Sequence, residues 1–276
     1  AVFEGPSQKK LLGLYRENIA SCPGTPLAEA CRVREICLLS AQGFVHESRI
    51  RAVDFLRSSG KSDCAGLVAE CLRGDLKREL AFIELPRDYT RLASAWQDTP
   101  EIREACGTPD PDLRAALGRG FMLMGKSAEA AAILEPLLEN RTMSEHGLYA
   151  LSCCYNEALL GKDWKKLLHI ADCVAAWPLP EGISSQLAYS SAIAYQALGN
   201  SVRALSAWRT VCEDETAVAW QRAYAAWYLA SDAFRKKDGK NAYELYSRTV
   251  SFFEAAARQG SGHVDNSLLT NARRRL

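Results

Sequence analysis

The chain lacks any excess of charge of one sign, and it lacks a long apolar run. Its 276 residues include 34 Lys and Arg against 33 Asp and Glu, which gives a formal net charge of +1. This balance removes the electrostatic argument for nucleic acid or an anionic membrane surface, and we expect no nucleic-acid partner. No apolar run reaches the roughly 18 residues that a membrane-spanning helix needs, so we expect no transmembrane segment.

The chain also lacks the spacing of metal ligands. It has four histidines and ten cysteines, but no two cysteines form a C-x-x-C pair. We therefore expect no metal site and no cofactor. Buried free thiols are the simplest interpretation of the cysteines, and disulfides in an exported protein are the alternative.

Two patterns suggest catalysis, and both have a structural interpretation. Cys153 and Cys154 with His146 or His169 offer a thiol and a base, but adjacent residues on a helix point in different directions, so core packing is expected.

Residues 120–127 have the spacing G-x-x-x-x-G-K-S of a phosphate-binding loop. That loop needs a preceding strand and free backbone amides, whereas the residues here are apolar and helical in character. We therefore expect a turn between helices at Gly125, and we expect that the protein is not an enzyme. The alternative is an enzyme that uses Lys126 to act on a nucleotide, and a binding experiment with ATP and magnesium would test it.

Composition and periodicity favour helices throughout. Alanine is abundant, no segment alternates between apolar and polar residues at strand spacing, and apolar residues in the N-terminal half recur at helical spacing. The expected fold is therefore all-α, without a sheet. The segments that should interrupt the N-terminal helices are residues 21–26, 42–43, 58–60 and 73–75. The Pro- and Asp-rich segment 107–112 predicts a boundary between N-terminal helical hairpins, residues 1–107, and a repeat domain, residues 108–276.

The C-terminal half carries a helical hairpin that repeats at a near-constant interval. Gly118, Tyr155, Ala192 and Ala230 occupy equivalent positions, separated by 37, 37 and 38 residues. A small residue in the middle of a first helix lets the second helix approach closely. The second helices of the first, third and fourth repeats have Ala followed four residues later by a larger residue, whereas the degenerate second repeat has Leu167 and Ala171. A period in this range indicates supersecondary units that stack on copies of themselves.

This pattern resembles the tetratricopeptide repeat, whose first helix reads W-x2-L-G-x2-Y and whose second reads A-x3-F. The resemblance covers about residues 111–254. Three features depart from the family: the period exceeds the usual ~34 residues, the closing Pro is absent, and the leading Trp is replaced by Arg114, Leu151, Ala188 and Ala226. The resemblance implies a superhelical solenoid of helical hairpins that acts as a non-enzymatic adaptor or scaffold for a protein or peptide partner.

In the resembled family, ligands lie along a concave groove lined by the first helix of each hairpin. Projected onto this chain, the candidate partner-binding residues are Arg119, Tyr149, Asn156, Tyr189, Gln196, Tyr224, Trp227, Phe234 and Arg235. Aromatic rings with a few amides and arginines suit an extended peptide, because rings give contact area and polar groups fix register. Core packing is the alternative role for the aromatic members.

Three further expectations concern partners and location. A hydrophobic small ligand in a channel between the two halves, in a transport or lipid-handling assembly, is the rival function. Self-association through the ends of the repeat stack is a second mode of partnership. The start Ala1-Val2-Phe3 lacks Met and no signal peptide is recognised, so we expect a processed bacterial periplasmic protein or lipoprotein anchored outside the cytoplasm, with a cytoplasmic location as the alternative.

Overall fold

The computed structural model describes residues 6–140, 142–180 and 182–276, and these residues form α-helices joined by short connections. No β-strand occurs among them, so the all-α prediction is confirmed. The segment Ala1-Val2-Phe3, which the processing expectation concerns, lies outside the described residues. The helices group into two compact units, one ending at Leu137 and the other beginning at Leu138.

The first unit contains eight helices in its described part. They are α1 (Pro6–Ser21), α2 (Pro26–Ala41), α3 (Val45–Ser59), α4 (Ala65–Ala81), α5 (Pro86–Asp98), α6 (Pro100–Cys106), α7 (Pro111–Leu123) and α8 (Ser127–Leu134), followed by a 3-10 turn, Glu135–Leu137. Three of the predicted interruptions separate helices here. The fourth, at residues 73–75, was wrong, because α4 continues through it. A glycine inside a helix costs only about 1 kcal/mol, and Asp75 is fully buried, with its carboxylate accepting from Ser40 Oγ at 2.8 Å.

The predicted boundary near residue 107 differs from the division between the units, because α7 packs tightly against α5. A Cβ placed on Gly120 would lie 2.2 Å from the carbonyl oxygen of Tyr89 and 2.6 Å from Ala93 Cβ. Only a glycine permits this approach of two helix backbones. The first hairpin of the repeat pattern, α7 and α8, therefore belongs to the core of the first unit.

The second unit contains seven helices in its described part. They are α9 (Glu145–Leu160), α10 (Trp164–Cys173), α11 (Ile183–Ala197), α12 (Ser201–Glu213), α13 (Ala219–Arg235), α14 (Gly239–Arg258) and α15 (Asn266–Arg275). Each helix contacts the next along the chain. Because short connections join contacting helices, consecutive helices run in opposite directions. The first helices of the hairpins, α9, α11 and α13, are therefore parallel, and their C-terminal ends lie at the same end of the unit.

The four hairpin turns share one backbone conformation. Gly125, Lys162, Gly199 and Lys237 all have positive φ, at 71°, 52°, 75° and 62°. The N–H of the residue after each of them donates to the carbonyl five residues earlier, at 2.8 to 3.0 Å. This is the left-handed closure that commonly ends a helix. The intervals are again 37, 37 and 38 residues, so the sequence period is a period of backbone geometry.

The turn at Gly125 was predicted correctly. Gly120 lies inside α7, Gly125 and Lys126 form the connection, and Ser127 begins α8. The residues with phosphate-loop spacing therefore form a helix end, a turn and a helix start. No strand precedes them in the described part of the first unit.

The small residues in the middle of the first helices allow close helix contact, as predicted. A Cβ on Gly118 would lie 2.6 Å from the side chain of Leu134 on α8. Ala192 and Ala230 are fully buried. In the second repeat the equivalent residue is Tyr155, which is larger and only 9% exposed. Its hydroxyl group therefore needs a hydrogen-bond partner inside the unit.

Candidate partner-binding face of the second unit

The first helices of the second unit carry three stripes of side chains at helical spacing. These residues, which we call the first-helix face, are Tyr149, Ser152 and Asn156 on α9; Tyr189, Ile193 and Gln196 on α11; and Tyr224, Trp227, Ser231 and Phe234 on α13. All are half-buried or exposed. Seven of the nine predicted partner-binding residues belong to this face. An eighth, Arg235, follows Phe234 at the end of α13.

The ninth predicted residue, Arg119, lies on α7 in the first unit. Its guanidinium carbon is 5.7 Å from the ring centroid of Tyr89 on α5, within the range of a cation–π contact. In the structure this arginine thus participates in the contact between α5 and α7.

Ring contacts connect the aromatic members of the face to the second helices. Tyr189 meets the fully buried Trp208 of α12 edge-on, with 5.4 Å between ring centroids. Trp227 meets Tyr246 of α14 at 5.3 Å, and Tyr224 meets Phe253 of the same helix at 5.6 Å. These three predicted residues therefore pack against the second helices and still expose part of each ring to solvent. The ring contacts fix the orientation of these side chains.

Burial changes the titration of two of these tyrosines. It is the main cause that raises the pKa of the hydroxyl groups of both Tyr189 and Tyr224 above the ordinary value, and Asp265 contributes further at Tyr224. Tyr224 Oη also lies 3.4 Å from Asp265 Oδ2, to which it donates. Both phenols are thus neutral at physiological pH and available as hydrogen-bond donors.

Trp220 is an aromatic residue that adjoins the first-helix face and that the repeat pattern missed. It lies in the first turn of α13, between Tyr189 and Tyr224, at centroid distances of 5.2 Å and 6.2 Å. The centroid of its ring also lies 4.8 Å from the ring centroid of His263. The repeat motif begins at Ala226 in this hairpin and does not extend back to residue 220, so spacing alone gave no signal for it.

A polar ladder connects the three first helices behind the face. Gln186 Nε2 of α11 donates to Tyr155 Oη of α9 at 3.0 Å, and Gln186 Oε1 accepts from the Gln221 amide of α13. Tyr155 Oη also shares a short hydrogen bond with Ser190 Oγ. Gln221 is only 3% exposed. Buried, satisfied networks of this kind fix one arrangement of the helices that they connect.

The exposed members of the face are the groups that can contact a partner without rearrangement. Asn156 and Gln196 are exposed amides, and Phe234 exposes 51% of its surface. Arg235 is exposed, and its guanidinium lies 3.5 Å from the carboxylate of Asp232. Amides offer donors and acceptors at once, so this face can pair with the backbone of an extended chain and cover apolar side chains with its rings.

Four of the ten cysteines, Cys31, Cys153, Cys154 and Cys212, are buried, and the other six are half-buried. Cys153 and Cys154 are both buried, as the packing interpretation requires. In the first unit Cys37 Sγ and Cys71 Sγ lie 3.5 Å apart. Burial, with a smaller contribution from the hydrogen bond to Cys37, raises the pKa of Cys71 to about 12, and burial raises that of Cys106 to about 11. Such thiols are protonated at neutral pH and are weak nucleophiles.

The described residues were also compared with the requirements of a ligand pocket, a metal site and a membrane-spanning helix. The first unit has an open depression of about 830 Å³ whose lining includes Glu29, Arg57, Lys61 and Asp63. Its charged lining does not suit a hydrophobic ligand. No group of three or more His, Cys, Asp or Glu in the described ranges is placed to hold a metal ion. None of the helices described is both long and apolar enough to cross a bilayer.

Comparison with known proteins identifies no relative of this chain. No model of a known protein family matches the chain, and a search of curated proteins finds no significant match.

Proposed function

We propose that the second unit is a tetratricopeptide-like module that binds an extended segment of a partner protein along its first-helix face, and that the protein acts as a non-enzymatic adaptor. The observation that supports this is that seven of the predicted residues lie along α9, α11 and α13, the three first helices that the polar ladder connects. Exposed amides at Asn156 and Gln196 accompany half-buried rings on that face.

The face is rigid before binding, which favours affinity. Ring contacts hold Tyr189, Tyr224 and Trp227 against the second helices. The polar ladder fixes the positions of α9, α11 and α13. A preorganised surface loses little conformational entropy when a partner binds, so more of the contact energy appears as affinity.

The chemistry of the face favours a neutral partner segment. Its members are rings, hydroxyls, amides and one aliphatic side chain, and none of them is charged; charged neighbours include Arg235 at one end and Asp265 beside Tyr224. Extended peptides present unpaired backbone amides that Asn and Gln side chains can pair, while aromatic rings cover their side chains. We expect an uncharged, partly apolar segment rather than a strongly acidic one.

Peptide selection tests the proposal. Displayed random peptides of about 12 residues, long enough for an extended ligand, are selected on the immobilised full chain, and the affinity of the selected peptides is measured by fluorescence polarisation. Replacing Asn156 and Gln196 together by Ala should weaken binding by about 10-fold or more. The matched control replaces Ser206 and Arg209, which are exposed on α12, by Ala and should change affinity less than about twofold.

Two outcomes would contradict the proposal. One is a selection that yields no binding peptide with the folded chain. The other is a set of peptides whose affinity falls equally with the α12 control pair, which would place the binding surface elsewhere.

A further inference from the structure

One end of the second unit gathers the hairpin turns and the end of the last described helix. Because α9, α11 and α13 are parallel, the three turns that follow them lie at the same end of the unit. Helix α15 packs against α14 and brings Arg275 to this end, where its guanidinium carbon is 4.2 Å from the ring centroid of Phe234. We call residues 160–166, 198–203, 234–243 and 273–276 the turn edge.

The turn edge is strongly basic although the whole chain is nearly neutral. It contains eleven basic side chains and two acidic ones, a net charge of +9, against +1 for the entire sequence. The basic residues are Lys162, Lys165, Lys166, Arg203, Arg235, Lys236, Lys237, Lys240, Arg273, Arg274 and Arg275. The two acids, Asp163 and Asp238, cap α10 and α14 by accepting from the backbone N–H groups of Lys166 and Asn241.

Two further carboxylates lie just behind the edge and pair with part of it. Asp232 accepts from Lys236 Nζ at 2.7 Å and also contacts Arg235, and Glu254 accepts from Arg273 at 2.9 Å. Within the described part of the chain, the lysines at positions 162, 165, 237 and 240 make no ion pair. Most of the positive charge of the edge is therefore not neutralised by the protein itself.

Apolar side chains stand among these charges and are unusually exposed. Leu160 and Val202 expose 82% and 80% of their surface, and Leu198, Phe234 and Tyr243 expose 44% to 55%. Leu160, Leu198 and Phe234 lie at the ends of the three first helices, while Val202 and Tyr243 lie near the starts of second helices. Each hairpin thus contributes at least one apolar side chain to the same basic edge.

We infer that the turn edge docks the second unit on the surface of an anionic lipid bilayer. Lysine and arginine at such a surface are attracted to the negative lipid headgroups, and exposed aliphatic and aromatic side chains enter the boundary between headgroups and acyl chains. Charge complementarity selects the anionic surface. The exposed aliphatic side chains of Leu160 and Val202 favour a bilayer over nucleic acid, whose binding surfaces use polar contacts and stacked rings.

The electrostatic field of the turn edge acts over a short distance, so the inference is consistent with the neutral composition of the whole chain. Charges separated by more than about 10 Å are largely screened at 0.1 M salt, so the acidic residues elsewhere in the chain do not cancel the field at the turns. The inference does not rest on the proposed peptide-binding function, because helix ends form the edge and helix flanks form the first-helix face. Phe234 belongs to both surfaces and Arg235 adjoins the first-helix face, so both residues are left unchanged in the tests.

Vesicle flotation of the full chain is the test of charge. Vesicles of phosphatidylcholine alone are compared with vesicles that contain about 30% phosphatidylglycerol, at about 0.1 M and 0.5 M salt. The edge variant combines Lys162→Asn, Lys165→Gln, Lys237→Asn and Lys240→Gln, with Asn at the two positive-φ positions because it tolerates that conformation. The control variant changes Lys9, Lys10, Lys61 and Lys77 to Gln, all exposed lysines of the first unit.

The wild-type chain should float with anionic vesicles, and binding should decrease at higher salt. The edge variant should partition at least 10-fold less strongly and the control variant within about twofold of wild type. Circular dichroism should show unchanged helicity for both. Equal flotation with neutral vesicles, or equal loss in both variants, would overturn the inference.

A second variant tests the apolar contribution. Leu160→Ser combined with Val202→Ser should reduce partitioning by about 10-fold at either salt concentration, because insertion of apolar groups is not screened. No reduction would overturn the insertion. If the chain shifts a duplex DNA or RNA in a gel and fails to float with anionic vesicles, the edge is a nucleic-acid surface and the inference is wrong.

Discussion

The sharpest stability prediction concerns Gly120, where the backbones of α5 and α7 come into contact. Replacing Gly120 by Ala adds one methyl group on the side of α7 that faces Tyr89 and Ala93. Gly74→Ala is the matched control, since Gly74 is also inside a helix and the nearest atom to its Cβ would be the guanidinium of Arg78 at 3.8 Å. The two changes are chemically identical and differ only in what the new methyl group meets.

The expected magnitudes follow from that difference. At residue 120 the methyl carbon would lie 2.2 Å from a backbone oxygen, so the two helices would have to separate by roughly 1 Å. Because a backbone cannot rotate away as a side chain does, the strain should reach the upper end of measured overpacking costs, about 3 kcal/mol. The better helix propensity of alanine returns about 1 kcal/mol. We expect a net loss of about 2 kcal/mol for Gly120→Ala and a gain of about 1 kcal/mol for Gly74→Ala.

Hydrogen exchange measured by mass spectrometry can localise the effect in the full chain. A loss of about 2 kcal/mol corresponds to roughly 30-fold faster exchange of the protected amides of α5 and α7 in Gly120→Ala. If Gly120→Ala exchanges as slowly as Gly74→Ala, the two helices do not make the contact on which the reasoning depends. A phosphate-binding role for residues 120–127 predicts a different result, namely protection of the wild-type chain by ATP with magnesium.

Three further predictions concern the turns, a thiol and a carboxylate. Lys162→Gly and Lys237→Gly should each raise stability to urea by about 0.5–1 kcal/mol, because glycine has no Cβ to strain the positive-φ conformation; a loss would contradict the turn geometry. With a pKa of about 12, Cys71 should react with iodoacetamide at pH 8 roughly 1000-fold more slowly than an ordinary peptide thiol, and the rate should rise with pH; a rate equal to that of the peptide would refute the burial. The hydroxyl of Ser185 donates to the carboxylate of Asp214 and holds the pKa of that carboxyl below its usual value. This contribution to stability is present above the unfolded pKa of about 3.9 and is lost as the pH falls through the lower folded pKa. Ser185→Ala should therefore lose about 1 kcal/mol at neutral pH, and this loss should shrink as the pH falls through the folded pKa; a loss independent of pH would refute this assignment.

The repeat was predictable because its constraints are local. Gly118, Ala192 and Ala230 each stand where two helices approach closely, and small side chains at a fixed interval are visible in a sequence. The turns were visible only in part. Gly125 and Gly199 signal a positive φ, whereas Lys162 and Lys237 adopt the same conformation without any signal of residue type. The repeat interval of 37 or 38 residues, counted from Gly125 and Gly199, predicts turns at both positions.

The grouping of the helices was not predictable from the same pattern. Residues 107–112 are rich in Pro and Asp, which marks a turn but says nothing about which helices share a core. The contact that places α7 in the first unit depends on Gly120 meeting a backbone atom of Tyr89, about thirty residues earlier. Such a pairing between distant segments leaves no periodic trace.

The polar ladder and the turn edge illustrate two further limits. Neither Gln186 nor Gln221 stands out in a helical sequence pattern, yet the Gln221 amide donates to Gln186, and Gln186 donates to Tyr155. A total charge of +1 suggests no electrostatic partner, although one end of the second unit carries +9. Composition averages over surfaces, and only the fold shows which charges lie together.

The central claim is that an extended partner segment lies along the first-helix face, and photo-crosslinking tests it most directly. A benzophenone amino acid is placed at Asn156, at Gln196 and, as the control, at the exposed Arg209 on α12, and each chain is irradiated with a selected peptide. We predict crosslinks from positions 156 and 196 that excess unlabelled peptide abolishes, and none from position 209. Crosslinks from position 209 alone, or equally from all three positions, would contradict the account.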